Sequence, residues 1–189
     1  MKTSFMPELY VALIHFPVVN KNGEVIASAV TNLDLHDISR SARTYGVQRY
    51  YVVTPLDDQQ QFVGRLVDHW VTGSGAVYNP ERRKALELVC IKSSLEEVRD
   101  DIHQVSGQYP HTIVTCARHC PRSIGYDQLK KNINSGGPHL LMFGTAWGLS
   151  GDFMDQADFV LDPVVGMTDY NHLSVRSAAA IILDRLVGR

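Results

Sequence analysis

A short apolar strand runs directly into a loop with two glycines in the stretch His139-Leu140-Leu141-Met142-Phe143-Gly144-Thr145-Ala146-Trp147-Gly148-Leu149. Glycine lets the backbone approach a ligand closely, so that peptide N–H and C=O groups can bind it. The loop lacks both the Gly-Lys-Ser/Thr end of a Walker A motif and the G-x-G-x-x-G spacing of dinucleotide-binding folds. Because ordinary strand-to-helix turns also use glycine, this stretch alone leaves a ligand loop and a plain turn equally open.

Similar apolar runs recur on both sides of this stretch and alternate with helical patterns. The pattern predicts strands at 10–14, 50–54, 86–91, 112–115, 139–143 and 159–161, a short extension at 24–30, and helices at 35–45, 59–71, 95–105, 126–134 and 171–187. Short strands alternating with helices are typical of a parallel sheet with helices on both faces. No repeat or linker divides the chain, so we predict one α/β domain over residues 1–189.

The composition fits one such domain and excludes a polycation. The 189 residues include 18 Lys+Arg and 20 Asp+Glu, for a formal net charge of −2. No apolar run approaches the roughly 20 residues that span a bilayer, and residues 1–8 lack a signal-peptide apolar region. We therefore predict a cytoplasmic protein with no membrane partner. Basic residues do cluster locally, at Arg82-Arg83-Lys84, at Arg40, Arg43 and Arg49, and at Arg118, Arg122, Lys130 and Lys131.

In parallel α/β sheets, ligands bind beyond the carboxyl ends of the strands. That rule points to the loops after Thr115, after Phe143 and after Leu161, which all lie in the C-terminal half. The first of these loops carries Cys116 and Cys120 with a histidine between them. A structural zinc site needs four ligands, and no second Cys/His pair with ligand spacing follows. We therefore predict no metal.

Two helices carry further signals. In 35–45, helical spacing places Leu35, Ile38 and Ala42 on one face and His36, Arg40 and Arg43 on the opposite face. Asp34 can cap this helix and Gly46 suits its end. The cationic stripe is either solvated or an anion-binding surface. The last helix is apolar almost all round, which predicts a buried helix, at an interface or tucked into the domain.

Three of these segments, in this order, resemble the SPOUT class of S-adenosylmethionine (SAM)-dependent RNA methyltransferases. The similar segments are Arg40–Val47, Phe143–Leu149, and Leu161-Asp162-Pro163 with His172–Val175 and the alanines that follow. The resemblance covers about Tyr10 to Leu186. It is strongest to a small stand-alone bacterial group that is similar to the C-terminal part of tRNA (guanine-N1) methyltransferases. The chain departs from the class at Ser174, where many members have Asn, and at Arg176, where Ser is common.

The resemblance implies a C-terminal trefoil knot, a homodimer, an RNA substrate (a tRNA or rRNA nucleotide), and SAM bound in the knot. Carried over by position, the cofactor-binding residues are Thr115, Ala117, Gly144, Thr145, Gly148, Leu161, Pro163, Leu173 and Ser174. Arg40 is the usual catalytic candidate of the class. Since arginine is not deprotonated in proteins, we expect it to bind substrate phosphate and stabilise negative charge. Asp34 is our candidate base, with His36 and Asp169 as alternatives.

Two other functions remain open at this stage. A non-catalytic module that binds SAM or RNA would use the same loops as an enzyme, so the sequence does not separate the two. A flavodoxin-like or nucleotide-binding enzyme would show the same alternation of strands and helices. The missing phosphate loop argues against this second alternative.

Overall fold

The structure, a computed structural model, describes residues 7–189. Its strands are β1 (Leu9–Ile14), β2 (Val18–Val19), β3 (Val25–Ile26), β4 (Tyr50–Val53), β5 (Val89–Lys92), β6 (His111–Thr115), β7 (Ser123–Ile124), β8 (His139–Gly144) and β9 (Phe159–Leu161). Its helices are α1 (Asn32–Thr44), α2 (Asp57–Val71), α3 (Ser74–Tyr78), α4 (Pro80–Leu86), α5 (Leu95–Ser106), α6 (Tyr126–Asn134), α7 (Gly151–Asp155) and α8 (Val175–Val187).

Seven strands form one parallel sheet in the order β5-β4-β1-β8-β6-β9-β7. β1 lies beside β8 over its whole length, from Leu9 opposite His139 to Ile14 opposite Gly144. The segment after β1 therefore leaves the sheet next to the glycine loop. β2 and β3 form a separate antiparallel hairpin. The predicted parallel sheet with helices on both faces is confirmed.

The two faces of the sheet carry two separate hydrophobic cores. Side chains alternate along a strand, so Leu9, Val11 and Leu13 of β1 join the core under α1, α2, α6 and α8. Tyr10, Ala12 and Ile14 join the core on the side of α5 and α7. Strands buried on both faces explain why β1 reads as an unbroken apolar run.

The predicted strand at 86–91 is wrong at its start. Residues up to Leu86 belong to α4, and only Val89–Lys92 is strand. The Asn79 side chain accepts a hydrogen bond from the Arg82 backbone N–H at 3.0 Å, and Pro80 occupies the first turn. Both are helix-start signals that the spacing of apolar residues does not contain. The prediction also missed four short elements: β2, β7, α3 and α7.

The last helix also differs from its prediction. It begins at Val175 rather than 171, because the Ser174 side chain caps it by accepting from the Ser177 N–H. Its buried side chains lie on one face: Ala179, Ile182, Leu183 and Leu186. Ser177 and Asp184 are exposed, so burial all round was too strong an expectation. None of the helices described for residues 7–189 combines the length and apolar character needed to cross a membrane.

Candidate functional site

A cavity of about 630 Å³ opens where the predicted ligand loops meet, and we call it the loop cavity. Among its lining residues are these predicted ones: Asp34, Thr115, Ala117, Gly144, Thr145, Gly148, Leu173 and Ser174. Leu161 and Pro163 are not among its lining residues. Leu161 is fully buried in β9 opposite Thr115, and Val164, rather than Pro163, reaches the wall.

The glycine loop holds an unusual backbone at the cavity wall. Ala146 and Gly148 have positive φ values of 50° and 112°, a region that residues with a Cβ seldom adopt. The β2–β3 hairpin supports this turn: Val19 N–H donates to the Gly148 carbonyl at 2.9 Å, and Trp147 N–H donates to the Val19 carbonyl at 3.1 Å. At Gly144, a Cβ would lie 2.8 Å from the Leu149 backbone nitrogen. The loop therefore has room only for glycine at this position.

A chain of hydrogen bonds connects buried His15 to the cavity. His15 Nδ1 lies 2.9 Å from Ser28 Oγ, which in turn contacts Thr145 Oγ1. The Thr145 hydroxyl donates to the Ile14 carbonyl at 3.0 Å. Ser28 and Thr145 both line the loop cavity, whereas His15 is completely buried.

The donor direction along this chain follows from its last member. Because the Thr145 proton is used on a carbonyl, Thr145 Oγ1 accepts from Ser28, and Ser28 Oγ must accept from Nδ1–H of His15. Burial lowers the pKa of His15 to about 4, so the ring is neutral near pH 7 with its proton on Nδ1. Both hydroxyls therefore present only lone pairs to the cavity. Such a wall accepts hydrogen bonds from ligand N–H or O–H groups.

Asp34 does not cap α1 as the sequence suggested. The N-cap is Thr31, whose hydroxyl accepts from the Asp34 N–H at 3.3 Å and donates to the Asp34 carboxylate at 2.7 Å. The same carboxylate pairs with Arg176 of α8 at 3.3 Å, and Arg176 also pairs with Asp37 at 3.4 Å. Arg176, a departure from the resembled class, thus connects α8 to the first turns of α1. Gly46 follows the helix end with φ of 73°, as expected.

Arg40 and His36 lie on the other side of α1, in a second cavity of about 640 Å³ between α1, α2 and α4, which we call the α1 groove. It is lined by Asn32, Leu33, His36, Asp37, Arg40, Phe62, Arg65, Leu66, His69, Trp70 and Arg82. The predicted catalytic pair is therefore divided: Asp34 lines the loop cavity and Arg40 the α1 groove. Asp169, the other alternative base, is exposed and lines neither of the two.

Several cations of the predicted basic clusters are already paired. Arg49 pairs with Asp101, Arg83 with Glu87 at 2.9 Å, and Lys84 with Glu81 at 2.7 Å. The Arg122 guanidinium donates to the carbonyls of Ala157 and Met154. The sequence clusters therefore overstate the cationic surface, because Glu81 and Glu87 lie within four residues of their partners and Asp101 reaches Arg49 from a distant part of the sequence.

The cysteine loop does not gather metal ligands. His119 Nδ1 lies 3.1 Å from an Asp162 carboxylate oxygen, and burial raises the pKa of the Cys120 thiol. Within residues 7–189, no group of three or more His, Cys, Asp or Glu side chains has metal-binding geometry. Cys116 instead lines the loop cavity.

The sequence analysis missed the N-terminal contribution to the loop cavity. Ser28, Ala29 and Thr31 line it together with Trp147 and Asn171. The signal for the first three was topological: β1 and β8 are neighbours, so the segment after β1 meets the loop after β8. Asn171 connects two of the predicted loops by donating to the Ala117 carbonyl at 2.8 Å.

Comparison with known proteins agrees with this geometry. A family described as SAM-dependent RNA methyltransferase matches residues 8–188, nearly the whole chain. The chain belongs to this methyltransferase family. The predicted resemblance to SAM-dependent RNA methyltransferases is thereby confirmed at the level of the family.

Individual relatives of this chain differ in length. A protein of Oleidesulfovibrio alaskensis named tRNA (guanine-N(1)-)-methyltransferase is 45% identical over 180 residues, covering 95% of this chain but 42% of the relative. An uncharacterized protein of Aquifex aeolicus is 40% identical over 182 residues, covering 96% of this chain and 89% of the relative. The chain thus spans less than half of the named relative and most of the uncharacterized one.

The fold is shared with a solved SpoU methyltransferase, AviRb of Streptomyces viridochromogenes in complex with AdoMet. The match has a TM-score of 0.55 and 21% identity, and it covers 96% of this chain and 57% of that chain. At this identity the likeness concerns the fold alone, and it fits the parallel sheet described above.

Proposed function

We propose that this methyltransferase holds SAM in the loop cavity and methylates a nucleotide of tRNA or rRNA. The observation that carries the proposal is the convergence on one cavity of the glycine loop, the loop after β6, the segment before α8 and the His15–Ser28–Thr145 chain. The name of the O. alaskensis relative favours tRNA. Guanine N1 is not assigned, since that relative is more than twice as long as the matched part.

The chemistry of the cavity wall fits SAM. The cofactor combines an adenosine, an amino-acid chain and a sulfonium that supplies the electrophilic methyl group. Backbone groups near Gly144 and Gly148 would hold the adenosine, and the Ser28 and Thr145 hydroxyls would accept from its N–H or O–H groups. Thr115, Ala117, Leu173 and Ser174 would complete the wall, with Leu161 and Pro163 supporting it from below. Among residues 7–189, Asp34 supplies the one carboxylate that lines the cavity, and Arg176 neutralises it.

The catalytic residues act on the RNA side of the cofactor in this proposal. Arg40, in the α1 groove, binds a substrate phosphate and so holds the nucleotide in position for transfer of the methyl group. Asp34, which lines the loop cavity, stays our candidate to accept the proton that the nucleotide loses. Because Thr31 and Arg176 already occupy its carboxylate, we give it chiefly the task of positioning Arg176 and α1.

We also infer a knot, in which the segment after β9 passes through the link between β6 and β7. β9 lies between these two strands in the sheet, so the link 116–122 crosses the end at which β9 leaves. The Asn171–Ala117 hydrogen bond holds the following segment against that link. We also propose a single domain, and its support is that both cores share one sheet.

A homodimer in the cytoplasm, where tRNA and rRNA occur, completes the proposal. Its support is the surface of the segment before α8, in which Val165, Met167 and Leu173 are 64%, 102% and 42% exposed and Leu173 lines the loop cavity. Contiguous exposed apolar side chains mark interaction sites. A dimer through this surface would bring a partner next to the cofactor.

The test is incubation with labelled SAM and unmodified RNA, followed by mapping of the labelled nucleoside. We expect Arg40→Ala to abolish transfer while S-adenosylhomocysteine (SAH) affinity changes by less than about threefold. Equal loss of SAH affinity would contradict the role given to Arg40. SAH binding without transfer to any RNA fraction would favour the non-catalytic module instead.

A further inference from the structure

The α1 groove combines unpaired cations with aromatic rings. Arg40 comes from α1, Arg65 from α2 and Arg82 from α4, so three helices direct guanidinium groups toward one cavity. Within residues 7–189, none of these three arginines forms an ion pair. In the described part of the chain, Asp37 is the one acidic residue of the lining, and Arg176 pairs with it at 3.4 Å. The groove is therefore a concentrated positive site on a chain of net charge −2.

An aromatic platform lies within the same groove. The Arg82 guanidinium lies 4.4 Å from the centre of the Trp70 ring, and the His36 and His69 rings meet Trp70 edge-on at 5.4 and 5.1 Å. Burial and the Arg82 charge lower the pKa of His36, so His36 contributes a neutral ring. Aromatic rings and guanidinium planes are the surfaces on which unpaired nucleobases stack.

The groove and the loop cavity share a rim. Thr31 and Asp34 line the loop cavity, while their sequence neighbours Asn32 and Leu33 line the groove. Arg176 connects the two cavities by pairing with Asp34 in one and Asp37 in the other. A polymer with one unit in the loop cavity can therefore place its next units in the groove by crossing the first turn of α1.

We propose that the α1 groove binds a single-stranded RNA segment next to the methylated nucleotide, with Arg40 and Arg65 on phosphates and a base stacked on the Arg82 guanidinium, which lies over the Trp70 ring. The charge selects a polyanion, and the ring platform selects one with flat bases. This inference rests on the proposed function for its substrate, and it adds Arg65, Trp70 and Arg82 as RNA-binding residues. A second copy of the chain is the competing occupant.

The two tryptophans of the sequence allow the cavities to be followed separately, since Trp70 lies in the groove and Trp147 in the loop cavity. In a Trp147→Phe variant, bulk tRNA and a mixed-sequence single-stranded 12-mer should quench the fluorescence of Trp70. In a Trp70→Phe variant, SAH should change the fluorescence of Trp147. Absence of any RNA effect on Trp70 at low salt would overturn the proposal.

Affinity for the same RNA probes, measured by fluorescence anisotropy, tests the individual side chains. Arg65→Ala and Arg82→Ala should each weaken binding by about three- to tenfold and reduce the slope of log K against log salt by about 0.7. Trp70→Leu should cost about fivefold or more. Arg83→Ala is the matched control, because it removes the same charge one residue from Arg82 but from a side chain paired with Glu87. Arg65→Glu is a second variant at this position. It reverses the charge of an exposed side chain, where a substitution disturbs folding little.

The possible results separate the alternatives. If Arg82→Ala and Arg83→Ala reduce RNA affinity equally, only net charge matters, and the proposed RNA site in the groove is overturned. If the groove variants lose self-association in sedimentation experiments but keep their RNA affinity, the groove is a subunit contact. Quenching of Trp70 by RNA without SAH binding or methyl transfer would retain the groove while rejecting the proposed function.

Discussion

The loop cavity and the α1 groove have nearly equal volumes, about 630 and 640 Å³, but they are built differently. The glycine-loop backbone, several hydroxyls and apolar side chains form the loop cavity, and its Asp34 carboxylate is paired with Arg176. Long cationic and aromatic side chains on three helices form the groove. A wall of backbone depends on the exact path of the chain, whereas a wall of side chains depends on charge and ring area. Single substitutions should therefore cause a large loss of SAH affinity at the loop cavity but smaller losses of RNA affinity at the α1 groove.

The largest expected effect comes from adding one methyl group at Gly144. Gly144→Ala places a Cβ 2.8 Å from the Leu149 nitrogen, so the loop must move, and SAH affinity should fall by about 30-fold or more while the RNA affinity of the groove changes little. Gly166→Ala is the control, since a Cβ there meets nothing within 4 Å. Isothermal titration with SAH, with the melting temperature as a check on folding, measures the effect. A loss below threefold would contradict the backbone-built wall.

Acid should destabilise the loop-cavity side through His15. Its folded pKa of about 4 lies below the usual 6.5, so the unfolded chain takes up a proton below about pH 6.5 that the folded chain refuses until about pH 4. Stability present above pH 6.5 is therefore lost as the pH falls, by about 2.5 kcal/mol between pH 7 and 4.5.

His15→Asn should remove that part of the pH dependence while retaining a donor near the Nδ1 position. Urea unfolding of both proteins at pH 7 and 4.5 gives the comparison, in which contributions from other titrating groups cancel. Parallel pH profiles of the two proteins would show that His15 is not the buried neutral group described here.

Arg176→Ala should lower the free energy of unfolding, because Arg176 holds α8 to the parts of α1 that line both cavities. It removes the ion pairs that connect α8 to Asp34 and Asp37, and it leaves the largely buried Asp34 carboxylate without its cation, at a cost of about 1–2 kcal/mol of unfolding free energy. A double-mutant cycle with Asp34→Asn should give a coupling of about 1 kcal/mol. Additive effects of the two substitutions on the free energy of unfolding would mean that the Arg176–Asp34 ion pair does not contribute to stability.

The smallest effect should come from the Thr145 hydroxyl. Thr145→Val removes the acceptor of the Ser28 proton and should reduce SAH affinity by about fivefold. Thr145→Ser, which keeps the hydroxyl, should stay within about twofold. If valine and serine behave alike in SAH titrations, the hydroxyl chain does not contribute to cofactor binding.

The sequence predicted much of the fold because its cause is local. The α6 bounds were predicted as observed, and β1, β4, β6, β8 and β9 were located to within one residue, since runs buried on both faces are continuous in sequence. The strand predicted at 86–91 failed where Asn79 and Pro80 start a helix. Most predicted cofactor residues do line one cavity, because the carboxyl ends of neighbouring parallel strands meet at one edge.

The sequence by itself determined the alternation of strands and helices, the glycine loop and the family resemblance, all of which depend on residues close together in the chain. Only the tertiary structure decided that Ser28 and the Ile14 carbonyl meet Thr145 across 117 and 131 residues. It also decided that Arg176 meets Asp34 and that α1 separates Asp34 from Arg40. Strand order and helix packing set those juxtapositions, and they depend on the burial of whole faces rather than on local spacing.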